Sequence, residues 1–181
     1  MVYWPTFTTT TIFLVLVSCS SEKSKDTSLE IVSDTGKTFT FDDLKSIGYK
    51  KNRTYDISEL KGATGAWYGF WRETRSTSKD YEVRIYNNHS DAVSMGENLA
   101  KEVTGDDAII TKEATWKEGI KNRRQVGGGR TKGTLELQAT GIFPKYGNYV
   151  IYGNIILLCE GQEEISLESC WKLINALNDS K

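Results

Sequence analysis

A single histidine, three cysteines, one dense aromatic run and one basic stretch are the residues with chemical potential in this sequence. His89 heads His89-Ser90-Asp91, the three residue types of a serine triad, but consecutive residues cannot line up as nucleophile, base and orienter. A histidine at the start of a helix reads as a surface or capping residue before it reads as a general base. One histidine and no paired cysteine spacing leave a metal without a ligand set, and the lack of Cys-x-x-Cys argues against disulfide exchange. Gly128 and Gly133 have the outer spacing of a phosphate loop, yet Thr134-Leu135 follows where Lys-Ser or Lys-Thr is required. The neighbouring carboxylates Asp42-Asp43 and Glu163-Glu164 fall at predicted helix starts, where the helix dipole accounts for them. No catalytic residue, metal or cofactor is assigned on these grounds.

Two stretches suit binding instead. In Ala66-Trp67-Tyr68-Gly69-Phe70-Trp71 a strand puts Trp67 and Trp71 on one face and Tyr68 and Phe70 on the other. A central strand buried on both sides explains that pattern; the functional alternative is an aromatic wall of Trp67, Tyr68 and Trp71 on which a sugar or another flat ligand stacks. Lys117, Lys121, Arg123, Arg124, Arg130 and Lys132 surround Gly127-Gly128-Gly129 in the most basic stretch of the chain. It reads first as a solvated loop balanced by acids elsewhere. It reads second as a contact for anionic headgroups or cell-wall polymers through Lys121, Arg123, Arg124, Arg130 and Lys132, each cation worth about 1 kcal/mol near a charged surface. A formal charge of -1 and a pI near 5.9 give no global pull on nucleic acid, which is not expected as a partner.

The cysteines divide by position. An apolar run over residues 12–17 ends at Ser18-Cys19-Ser20, and Leu16-Val17-Ser18-Cys19 resembles the lipobox of bacterial lipoproteins. Residues 1–10 depart from that pattern in carrying no Lys or Arg ahead of the apolar run. The resemblance implies that Cys19 becomes the mature N-terminus with a thioether diacylglycerol and a third acyl chain such as palmitate. It implies a lipid-anchored protein of the bacterial cell envelope, on the extracytoplasmic side of a membrane. Two or three chains hold a protein at a bilayer where one would exchange. With Cys19 so used, Cys159 and Cys170 remain to pair in an oxidising compartment; two buried free thiols are the alternative.

The elements that must position these residues follow from periodicity. Residues 1–19 are the signal segment, and residues 20–37, rich in Ser, Lys, Asp and Thr, read as a flexible tether reaching about 25 Å. Residues 38–181 fit a single globular domain, whose 38% apolar and 11% aromatic shares suffice for a packed core. A short strand over 38–41 leads to a helical turn capped by Thr40 and stopped by Gly48, and 55–61 repeats the device with Asp56 and Glu59. Residues 66–71 and 80–86 predict a hairpin. Ala92, Met95, Leu99, Ala100 and Val103 give 88–103 a helical apolar side, and a weaker helix starts at Thr115. Residues 135–139 alternate as a strand, and Gly153-Asn154 marks either a tight hairpin or a bulge in one long strand. Leu167, Cys170, Trp171, Ile174 and Leu177 stripe a last helix over 164–178, which should run back across the preceding strand and bring Cys170 to Cys159.

The expected fold is α+β, an antiparallel sheet of about five strands with two main helices packed on one face. The layout over 67–177 also resembles an uncharacterised family of small exported lipoproteins, which implies no activity. The expected function is a non-catalytic, lipid-anchored extracytoplasmic binding or interaction module, meeting the membrane through its anchor and an envelope protein or glycan through its domain. A small-molecule or glycan receptor using the aromatic strand is the alternative, and an envelope enzyme is the least favoured.

Overall fold

The computed structural model describes Met1, residues 29–126 and residues 141–180. Cys19 and residues 2–28, Arg130, Lys132 and the strand expected over 135–139 lie outside the described residues. The described strands are β1 (Val32–Ser33), β2 (Lys50–Thr54), β3 (Ala63–Arg72), β4 (Ser78–Tyr86), β5 (Arg124–Val126), β6 (Ile142–Pro144), β7 (Tyr146–Tyr152) and β8 (Ile155–Glu160). Six of them form one sheet in the order β1-β7-β8-β4-β3-β2, while β5 and β6 pair separately. The fold class is α+β as expected, but the main sheet has six strands, not five, and is mixed, because β1 runs parallel to β7.

Both uncounted strands lack the apolar alternation that marks a strand. All five residues of β2 are exposed, and its lysines blunt an open edge against further pairing. β1 docks through its backbone: Ile151 N–H donates to Ile31 O at 2.7 Å and Gly153 N–H to Ser33 O at 3.1 Å. The Trp171 indole N–H donates to Glu30 O at 3.0 Å. Residues 30–33, within the segment expected as a tether, thus make contacts with the sheet and with Trp171.

The helices lie on opposite faces, not on one. Helix α3 (Glu163–Asp179) packs Cys170, Leu173, Ile174 and Leu177 against Val83, Ile85, Val150 and Leu157. Helix α2 starts as His89–Asp91, widens into a π turn at Ala92–Gly96 and ends as Glu97–Lys101. It packs Ala92 and Ala100 against Ile151, Ile156 and Leu158. The cause is legible in β8, whose alternate residues Ile155 and Leu157, then Ile156 and Leu158, are all apolar and fully buried. A strand apolar on both faces needs a layer on each. Cys159 of β8 and Cys170 of α3 form a disulfide, which constrains the unfolded chain by about 3 kcal/mol for so short a loop.

Local signals fared unevenly. Helix α1 (Phe41–Ser46) has the capping box of Thr40 with Asp43, and Gly48 takes a positive φ of 85°. Residues 55–61 form turns, not a helix, with Asp56 Oδ1 accepting from Ser58 N–H at 2.9 Å. The segment from Thr115 forms only a 3₁₀ turn, Ile120–Arg123. Gly153-Asn154 is a tight hairpin joining β7 to β8, with Tyr152 paired to Ile155.

Candidate functional site

Strand β4 turns Asp80, Glu82, Arg84 and Tyr86 to the α2 face, while Tyr81, Val83 and Ile85 enter the α3 core. Charged residues at alternate positions of a strand ordinarily face water. The segment between α2 and β5 covers this face instead, and Glu82, Arg84 and Arg123 have no exposed surface. Arg123 Nε donates to Glu82 Oε2 at 2.7 Å and its Nη2 to Oε1 at 3.0 Å. Arg84 Nε donates to the same Oε1 at 2.8 Å, and Arg123 Nη1 donates to Trp116 O at 3.1 Å. Both guanidinium carbons stand over the Trp116 ring, 4.9 Å away for Arg84 and 4.8 Å for Arg123, and Tyr55 meets that ring edge-on. Burial alone would raise the pKa of Glu82, but Arg123 and Arg84 together hold it below the ordinary carboxylate value.

Arg123 ends the 3₁₀ turn, so its bond to Glu82 ties that turn to the sheet. The turn is entered through Gly119, at a φ of 82°; a Cβ there would lie 2.7 Å from the Tyr55 ring, so no larger residue fits. Above this floor opens a cleft of about 330 Å³. Arg53, Lys112, Lys117, Lys121 and Arg124 line it against one carboxylate, Glu118, which pairs with Arg53 at 3.3 Å. Arg124 is held in place through Nε donating to Ile110 O. The arrangement concentrates four cations beyond that pair around a concave surface, which suits a multiply charged anion.

The basic residues singled out from the sequence therefore separate. Lys121 and Arg124 line the cleft. Arg123 does not reach an anionic surface, because its charge is consumed in the interior by Glu82. Arg53 and Lys112 were not assigned to the site from the sequence; Lys112 stands only nine residues before Lys121, but Arg53 is far from 121–124 along the chain, and the packing of β2 beside the 3₁₀ turn brings it in. Glu82 and Arg84 carried no signal, since a charge on an alternating strand ordinarily faces water.

The aromatic strand is committed elsewhere. Trp71 is 7% exposed, and its indole N–H donates to Ile47 O at 2.9 Å. Trp67 is half-buried and stacks on Phe41 with ring centroids 4.5 Å apart. Tyr68, on the opposite face, donates its hydroxyl to Asp80 Oδ2 at 2.7 Å, and Lys145 Nζ lies 2.6 Å from the same oxygen. Burial first, then Asp80, raises the Tyr68 pKa; Asp80 likewise outweighs burial and holds Lys145 up. The faces offered to a flat ligand are filled by the chain's own Phe41 and Ile47. His89 is structural too: its Nδ1 lies 2.8 Å from Gly153 O, a carbonyl that only accepts, so Nδ1 carries the proton and pins the β7–β8 turn.

Residues 40–179 match the model of a family of unknown function (DUF6810). No curated protein and no solved structure matches the chain.

Proposed function

The chain belongs to the DUF6810 family, whose function is unknown, and from the basic cleft and the Cys19 lipobox we propose that it is a non-catalytic, extracytoplasmic binding module for a phosphate-bearing ligand of the cell envelope. The observation that carries this reading is the cleft itself, where Arg53, Lys112, Lys117, Lys121 and Arg124 meet a single acid. Arg53 is tied to Glu118 and Arg124 to Ile110 O, so these two cations are held in place before a ligand arrives, which lowers the entropy lost on binding. The receptor reading based on Trp67, Tyr68 and Trp71 has less support, because those side chains already have partners within the fold.

The test uses the full chain carrying Cys19→Ala, so that no acyl chain contributes, with phosphatidylglycerol and phosphatidylcholine vesicles. Binding should require the anionic lipid and weaken as salt rises. Lys117→Gln with Lys121→Gln removes two cations worth about 1 kcal/mol each, so affinity should fall about 30-fold. Equal sedimentation with both vesicle types rejects the cleft as the binding surface.

Membrane attachment is the second part of the proposal. No helix among the described residues is long and apolar enough to cross a membrane. Leu16-Val17-Ser18-Cys19 supports attachment through lipid instead. Wild-type protein made in bacteria fed a labelled fatty acid should incorporate the label, and Cys19→Ala should abolish it. Equal incorporation by both removes the anchor and the localisation built on it.

A further inference from the structure

The interior beneath the cleft holds two guanidinium groups and one carboxylate, Arg84, Arg123 and Glu82, none with exposed surface. The surplus cation has an address. Arg123 is fully engaged, with Nε and Nη2 on Glu82 and Nη1 on Trp116 O. Arg84 gives only Nε to Glu82 in hydrogen-bond geometry; Nη2 stands 2.8 Å from Oε1 without such alignment, and Nη1 has no partner. Arg84 thus turns one edge of its guanidinium away from its counterion.

The same interior holds further unpartnered donors. The Trp116 indole N–H, over whose ring Arg84 sits, has no partner and can only donate. Tyr86, two residues along the same face of β4, is 1% exposed, and its hydroxyl has no partner. Tyr55, edge-on to Trp116, and Tyr146 repeat the pattern on the Arg123 side. Burial favours the neutral phenol in each, so all three hydroxyls are available to donate. An interior with surplus positive charge and unpartnered donors calls for an acceptor that brings negative charge, because an unneutralised buried guanidinium is costly. A water molecule would accept two bonds and leave the charge in place.

We infer that Arg84, Tyr86 and Trp116 form a binding site for a small monovalent anion of the halide class. Size follows from the crowding. The π turn of α2 brings Gly96 so close that a Cβ there would lie 2.5 Å from Tyr86 Oη, and Ile156 fills the adjoining space. The site is separate from the surface cleft and is structural: the anion neutralises the guanidinium on which the covering segment rests.

The experiment compares melting of the full chain in sodium chloride and in sodium gluconate at equal ionic strength, with bromide as the crystallographic probe. Chloride should raise the melting temperature in a saturable way that gluconate, too large for the site, does not reproduce. Tyr86→Phe removes only a hydroxyl that bonds nothing in the protein, so it should fold, yet it should need about tenfold more chloride for the same rise. Lys117→Gln with Lys121→Gln should leave the chloride response unchanged, which separates this site from the cleft. An anomalous bromide peak against Arg84 supports the assignment. Equal melting in the two salts, an unaltered response in Tyr86→Phe, or bromide at the cleft cations alone overturns it.

Discussion

Glu82→Gln lowers the unfolding free energy by about 3–5 kcal/mol, measured by urea denaturation at pH 7, because it takes from the buried Arg123 and Arg84 the one carboxylate they share. Net stabilities run at about 5–15 kcal/mol, so the loss is a large share of the total. The pair is not irreplaceable. Glu82→Leu combined with Arg84→Met and Arg123→Met removes every charge together and should recover most of the loss, since an apolar replacement carries no desolvation penalty. The pH dependence follows with a fixed sign. The folded-state pKa of Glu82 lies below the ordinary 4.5, so the unfolded chain takes up this proton first as pH falls. The stability that Glu82 contributes is therefore complete above about pH 4.5 and disappears below it, and the gap between wild type and Glu82→Gln should close in acid. Binding should fall with stability in Glu82→Gln, because Arg123 carries the turn that displays Lys121. In Lys117→Gln with Lys121→Gln, binding should fall while stability stays within about 0.5 kcal/mol, as for ordinary surface changes.

That contrast marks what the sequence could and could not reveal. Where a signal is local, it was legible: the Thr40 box, the α3 stripe, the Gly153-Asn154 turn and the Cys159–Cys170 pair all depend on spacing within a short stretch. Where burial depends on a distant cover, it was not. Asp80, Glu82 and Arg84 alternate with apolar residues as on any half-solvated strand, and only the segment carrying Trp116 and Arg123 decides that Glu82 and Arg84 meet no water. For the same reason the basic stretch reads as one patch in the sequence. Its members differ in depth, so Arg123 braces the interior while Lys121 and Arg124 face the cleft. The polar edge strand β2 was invisible as a strand for a complementary reason, since an edge with no buried side chain has no apolar period to show. It nevertheless delivers Arg53 to the site.

The same reasoning gives Asn154 a role that its turn position understates. Asn154 is 4% exposed. Its Oδ1 accepts from Phe39 N–H at 2.6 Å, and its Nδ2 donates to Phe39 O at 3.0 Å and Tyr86 O at 2.8 Å. One amide thereby joins the β7–β8 turn to the entry of α1 and the end of β4, segments 115 and 68 residues away. Asn154→Ala should cost about 3 kcal/mol, near 1 kcal/mol for each bond. Among the described residues only glycines have positive φ, so alanine adds no backbone strain at this site and the loss reports the side-chain bonds alone. Asn154→Asp should be worse than Ala at pH 7. It keeps the acceptor for Phe39 N–H but sets a buried carboxylate oxygen against two carbonyl oxygens. Those carbonyls and the burial favour the protonated acid, raising its folded-state pKa above the unfolded value. Its deficit should therefore shrink as pH falls, because the protonated carboxyl regains one donor. Urea midpoints at pH 7 and pH 5 distinguish the cases: an Asp variant as stable as wild type at pH 7 would show that the amide donors hold nothing together.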